Sequence, residues 1–269
     1  MPKVVALYRY PVKGFTPERC ERISVLPGGR VAGDRVLNFR FNDAPVADSA
    51  WCRKSHGVVL ANTPGLARLN VTFDDQRQRL RIAFENHVLA DDVLDGAGRQ
   101  RLVDVITGYV LSLDENPLKD QAARLPLKLV GDGVMPRYQD NEGGQVTLHS
   151  RESIVSAGEA LRDAALNEAR FRRNIVIEGV AAWEEQTWAG RTLRVGGVAF
   201  ETVVPKVRCL ATHANPVTGE RDLPVMQMLV QAFKQSLPTF GVGLLSVAGG
   251  EVRVGDDVVP VVDQGAENV

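Results

Sequence analysis

The sequence predicts an α+β protein in which strands outnumber helices. Three observations carry this. β-Prone apolar runs recur at short spacing from Lys3 to Val262. Turn signals part them, at Gly28-Gly29, Asp74-Asp75, Gly196-Gly197 and Gly255-Asp256-Asp257. Only three stretches keep a helical period, near residues 102–113, 154–161 and 225–233.

Taken in order, Lys3 to Val12 reads as an opening strand closed by Pro11 and Gly14, and Ile23 to Pro27 as a second. Gly33-Asp34-Arg35 introduces a strand from Val36 to Phe41, and residues 42–56 read as loop. Leu69 to Phe73 and Leu80 to Phe84 form a pair, and Gly96 to Gly98 reads as another loop. Leu102, Val105, Ile106, Tyr109, Val110 and Leu113 then share one face of an amphipathic helix. Asp114-Glu115-Asn116-Pro117 breaks the chain, so two units are expected, 1–116 and 117–269. Leu127 to Val130 opens the second as a strand, and residues 132–145 carry no period and suit a mobile loop. Gln145 to His149 is a strand running into Ser150, an N-cap for a helix that buries Ile154, Ala157, Gly158 and Leu161. Val198 to Val204 is a strand, Val225, Met228, Leu229, Ala232 and Phe233 a helix face, and Phe240–Val247 and Glu251–Val262 close the chain.

With 269 residues there is enough chain for a sizeable core. Lys and Arg number 32 against 33 Asp and Glu, so neither an acidic polymer nor a membrane surface is implied as partner. Aromatics are 6% and are not interleaved with the basic residues, which leaves nucleic-acid binding unsupported. The first residues lack a long apolar segment and no stretch approaches a membrane span, so a cytoplasmic protein is expected. Cys20, Cys52 and Cys209 are too few for a four-cysteine iron–sulfur cluster and have no C-x-x-C spacing. No nucleotide fingerprint is present, and four scattered histidines give no zinc motif.

Cys209 stands out because Arg208 precedes it, and a thiol beside a fixed cation attacks or binds metal more readily. A lone cysteine is otherwise most often a small buried hydrophobe. The surrounding residues bear on that choice. Arg208, Cys209, Leu210, Thr212, Pro216, Thr218 and Gly219 resemble R-C-[IL]-x-T-x-x-D-P-x-T-G, a pattern of the MOSC domain, with Asn215 where Asp is usual. That module is shared by the C-terminal part of molybdenum cofactor sulfurases and by the amidoxime-reducing component. Tyr10 to Gly14 resembles the same family's opening Y-P-[IV]-K-[SG]. Arg170 to Gly179 resembles R-F-R-[PA]-N-[IL]-V-[IV]-x-G, with Arg173 where Pro is common. The resemblance covers most of the chain and is most specific from 145 to 258.

The resemblance implies an N-terminal mixed domain associated with a C-terminal antiparallel, barrel-like MOSC domain. It implies a molybdenum cofactor (molybdopterin) lying between the halves, with Cys209 as the metal ligand. It further implies an oxidoreductase that reduces N-hydroxylated or N-oxide small molecules, with electrons expected from a separate donor protein. Pyridoxal phosphate is not required. Candidate cofactor-binding residues are Lys13, Arg35, Ser150, Arg172, Asn174 and Arg208; taken alone, Lys13 reads as a solvated loop lysine. His213 and Asn215 join Cys209 as candidate catalytic residues, His213 as a proton donor. Two alternatives stay open: a sulfur carrier holding a Cys209 persulfide, and a non-catalytic carrier of the cofactor.

Overall fold

Strands dominate because alternating apolar residues can bury one sheet face while polar neighbours stay wet. The computed structural model describes residues 1–163 and 166–261. Val262, the expected end of the last strand, lies outside them. Among the described residues are sixteen strands and three α-helices, so the α+β class holds. β1 (Lys3–Arg9), β2 (Glu18–Cys20), β3 (Arg22–Leu26), β4 (Arg30–Val31) and β5 (Asn38–Arg40) come first. β6 (Leu69–Asp74), β7 (Arg79–Phe84) and β8 (His87–Val93) form a meander, followed by α1 (Gly96–Leu111) and β9 (Lys128–Val130). β10 (Val146–Ser150) leads into α2 (Arg151–Leu161), then β11 (Ile175–Glu178) and β12 (Thr192–Val195). β13 (Val198–Val207), α3 (Val225–Ala232), β14 (Thr239–Leu245), β15 (Gly250–Arg253) and β16 (Val258–Val261) complete the chain.

Eight strands share one sheet in the order β16-β12-β13-β14-β10-β11-β1-β2. All its pairs are antiparallel except β10 with β11. The antiparallel arrangement that the resemblance implied thus holds at every pair of this sheet but one. α2 lies between β10 and β11, and such a helical crossover returns the chain to the same end of the sheet, which sets the two strands parallel. β1 and β2 lie in this sheet and β3 pairs with β15, so backbone pairing runs between segments on either side of residue 116.

Among the described residues three apolar clusters fill the interior. One gathers the meander, α1 and the loops near Cys209, including Leu66, Val71, Ile82, Ile106, Ala211 and Ala214. A second lies on the large sheet, with Leu7, Leu148, Ile177, Trp188 and Leu244. The third joins α2 to α3 through Ile154, Ala157, Val225 and Leu229, with Phe171 and Phe240 beside them.

Two local expectations change. α1 begins at Gly96, inside the expected loop, because the Asp95 side chain accepts the Gly98 N–H at 2.6 Å and caps it. Leu102, Val103, Ile106 and Val110 are its large buried side chains, whereas Val105 is only partly buried. β8 escaped the sequence because Asp91 and Asp92 interrupt its apolar pattern. Both acids are spoken for, Asp91 by Arg79 and Arg81 and Asp92 by Arg101.

Candidate functional site

β13 carries the expected cysteine strand further than its apolar alternation, through Pro205 to Val207. A proline has no N–H to give a sheet ladder, and the β13–β14 register slips on both sides of it, between Thr202 and Val204 and between Pro205 and Val207. Beyond this irregular end the backbone turns at Cys209, whose carbonyl accepts from the N–H and hydroxyl of Thr212 at 3.0 and 2.9 Å. The half-buried Cys209 side chain packs against the first core and lines a cleft of about 300 Å³. That cleft draws Gly14, Arg35 and Val59–Ala61 from the N-terminal half, and Gln139–Asn141, Arg172, Arg173 and Val204–Cys209 from the rest.

Six cationic side chains line it, Arg35, Lys54, Arg172, Arg173, Lys206 and Arg208, against one carboxylate, Asp140. Arg35 and Arg172 hold their guanidinium groups over the Tyr10 ring at 4.7 and 4.4 Å from its centroid. Both residues have positive φ, 53° and 52°, which turns their side chains out of the extended path. Arg35 is paired with Asp34, while Arg172 donates to the Phe15 carbonyl. Arg208 donates to the Phe171 carbonyl at 2.8 Å and leaves its Nε buried without a partner. Burial pushes the Arg208 guanidinium below its ordinary pKa, against the pull of Cys209 and Asp140. Asp140 opens to solvent through the cleft yet is ringed by protein. Burial alone would raise its carboxyl, but Arg35, Lys13, Arg172 and Arg208 outweigh that and hold it below the usual range.

Three of the expected binding residues, Arg35, Arg172 and Arg208, therefore converge with Cys209. Lys13 is a different case. It is 2% exposed and lies behind the lining, where Nζ donates to the Cys52 and Gln139 carbonyls at 2.9 and 3.1 Å. It is not the solvated lysine that its loop suggested, and burial lowers its pKa. Asn174 also supports from behind. Its amide accepts from Thr147 and donates to the Tyr8 carbonyl and Asp34, so both ends are used inside the fold.

Ser150, His213 and Asn215 are not among the lining residues. The Ser150 hydroxyl caps α2 by accepting from Ser153 N and donates to buried Glu185 at 3.1 Å. Burial raises the Glu185 carboxyl, against its hydrogen bonds from Ser153 and Ser150. His213 is turned toward α3, where Nε2 accepts the Met226 N–H at 3.2 Å. Burial, with Arg221 and Arg170, pushes its pKa down, so the imidazole is a neutral acceptor in the fold. Asn215 closes its own turn, accepting from Val217 N and Thr218 N and donating to Asp222 at 2.6 Å. Toward the two turn N–H groups the amide oxygen serves as a carboxylate would, but only an amide can also donate to Asp222.

Asp140, Lys54, Arg173 and Lys206 were not foreseen as site residues. Asp140 lies in the aperiodic 132–145 segment, where no spacing could mark it. Arg173 had one signal, its place where Pro is common in the pattern it resembles. Cys52 is buried, and its sulfur accepts from Asn38 Nδ2 at 3.3 Å. Among the described residues no group of three or more His, Cys, Asp or Glu could hold a metal ion. Nor is any described helix long and apolar enough to cross a membrane.

A thiol at the edge of a strongly cationic cleft is an arrangement able to hold an anionic group beside a soft donor. Residues 136–259 match the model of the MOSC domain. The chain is 34% identical over 128 residues to mitochondrial amidoxime reducing component 2 of Rattus norvegicus, covering 44% of this chain and 37% of that protein. Against the human protein of the same name it is 34% identical over 164 residues, 57% of this chain and 48% of the relative. It is 30% identical over 113 residues to human molybdenum cofactor sulfurase, 40% of this chain and 12% of the relative. The matches thus span less than half of each of these proteins. Among solved structures, the YUAD protein from Bacillus subtilis superposes with a TM-score of 0.42 at 11% identity, over 96% of this chain and 94% of that one.

Proposed function

We propose that the cleft binds the molybdenum cofactor and that the protein is a reductase of N-hydroxylated or N-oxide small molecules. The observation that carries this is the convergence of Cys209 with Arg35, Arg172 and Arg208 in one cleft. The donor set fits the group. A thiolate is a soft ligand suited to molybdenum, and guanidinium groups suit a phosphate-bearing pterin. The unpartnered Nε of Arg208 lacks the acceptor that such an anion would supply. The similarity to an amidoxime reducing component and to a molybdenum cofactor sulfurase supports the same reading.

When bound, the cofactor supplies the two-electron chemistry that removes oxygen from nitrogen. The chain's own residues do the rest. Cys209 offers its sulfur from a backbone fixed by Thr212. Arg35 and Arg172, stacked on Tyr10, present positive charge without needing to reorganise. Asp140 tempers that charge, and its carboxylate and Lys206 Nζ are groups in the lining able to exchange protons with a ligand.

With His213 facing α3, His213→Gln is expected to change turnover less than about threefold. A general acid would cost roughly 10²-fold. The pH–rate profile at constant molybdenum content checks this, and loss of one limb in the variant would put the imidazole back in the reaction. The chain carries no nucleotide fingerprint and too few cysteines for a cluster, so a separate electron-donor protein is part of the proposal. NADH alone should give no turnover with the purified chain, and a reduced viologen dye should. Sustained NADH consumption coupled to amidoxime reduction, with no added reductase, would contradict it.

A further inference from the structure

The positive charge of the cleft falls into two groupings. Arg35 and Arg172 share the Tyr10 ring. Arg173 goes elsewhere. It donates to the Phe240 carbonyl, its Nε is buried with no partner, and it is 2% exposed. A Cβ on Gly241 would come within 3.2 Å of that Nε, and one on Gly243 within 3.0 Å of Lys206 Cδ. Two glycines two apart on β14 thus leave room for Arg173 and Lys206 over the same stretch of sheet. Lys206 Nζ donates to the Gln145 amide oxygen. Among the described residues neither Arg173 nor Lys206 has a salt-bridge partner.

Holding a buried guanidinium near a part-buried ammonium with no carboxylate paired to either is costly unless an anion joins them. Beneath Arg173 the carboxylate that acts on it, Glu185, is held by the Ser150 and Ser153 hydroxyls and makes no ion pair with it. His149 is buried with both ring nitrogens unpartnered and stands edge-on to the stacked Phe171 and Phe240 rings. The missing partner must therefore come from the cleft side. We propose that Arg173 and Lys206 form a second anion subsite in the cleft, which takes the carboxylate of a small-molecule substrate. The inference rests on the reductase reading and adds its substrate class: N-hydroxylated compounds that bear a carboxylate.

Lys206 gives this subsite a pH dependence. Burial and then Arg173 lower its ammonium to about 8, with Asp140 opposing and Arg208 and Arg35 adding to the fall. Its charge is present below that value and lost above it, so carboxylate binding should weaken as pH rises through about 8. The test is calorimetric titration of the purified full chain with 4-carboxybenzamidoxime and, separately, with its neutral carboxamide counterpart. At pH 7 the carboxylate should bind about tenfold more tightly or better, the scale of a charge-assisted hydrogen bond. The gap should close in Lys206→Met, a part-buried position outside the apolar clusters, and shrink in wild type at pH 9. Equal affinities in wild type, or a gap that survives Lys206→Met, would overturn the proposal. So would loss of bound molybdopterin from Lys206→Met, because the wall would then serve the cofactor. The underlying reading fails separately, if the carboxylate preference stands but neither compound is reduced.

Discussion

Replacing Cys209 by Ala is expected to abolish amidoxime reduction, by on the order of 10³-fold or more, the scale for removing a group that acts at the reacting centre. Cys209 alone among the three cysteines lines the cationic cleft. Cys20 lies in the edge strand β2, and Cys52 is buried against Asn38. Cys20→Ser with Cys52→Ser should therefore leave turnover largely intact. The variants should be compared for turnover and for molybdenum per chain, using a reduced dye as donor. Activity that survives Cys209→Ala and dies in the double variant would reverse the assignment.

The largest expected loss of stability is at Arg170, which ties the loop beyond Cys209 to the rest of the fold. It is buried and donates to both carboxylate oxygens of Asp222 at 2.7 and 2.8 Å, and to the His213 carbonyl at 3.1 Å. Arg170→Ala should cost about 3 kcal/mol, because it leaves a carboxylate and a buried carbonyl short of their donor. Thermal or urea unfolding checks the size. The sign with pH follows from Asp222. Burial would raise its carboxyl, but hydrogen bonds from Arg170 and Asn215 hold it below the usual range. A depressed folded pKa gives stability that is fully present above the unfolded value, near 3.9, and lost as pH falls through the folded one. Arg170→Ala should flatten that acid limb. An unfolding curve that matches wild type at pH 7 and keeps the same acid slope would show that the loop is held by other means.

Local alternation and turn residues made much of the fold legible. β6, β7, α2 and α3 lie close to where period and caps put them, because in these elements the pattern is the burial. β8 was hidden because its acids answer arginines on β7 and α1 rather than a core. The parallel β10–β11 pair was hidden because pairing partners are set by tertiary packing. The candidate site divides in the same way. The immediate neighbours of Cys209 could be read from its motif. Asp140 and Lys206 could not, because they reach the cleft by folding from a patternless loop and from a bulged strand end. Ser150, His213 and Asn215 lie in or beside the resembling segments, Asn215 where Asp is usual, yet in this chain their polar atoms are taken by a helix cap, an α3 backbone N–H and a turn.

Two readings share Cys209, and they part at the metal. The direct measurement is molybdenum and pterin content of the purified full chain, with X-ray absorption at the molybdenum edge in wild type and in Cys209→Ser. The account predicts stoichiometric molybdenum with pterin in wild type and a sulfur ligand that disappears in Cys209→Ser. A chain without molybdenum after expression in a cofactor-replete host, carrying cyanide-labile sulfur on Cys209 instead, would contradict it and establish the sulfur carrier.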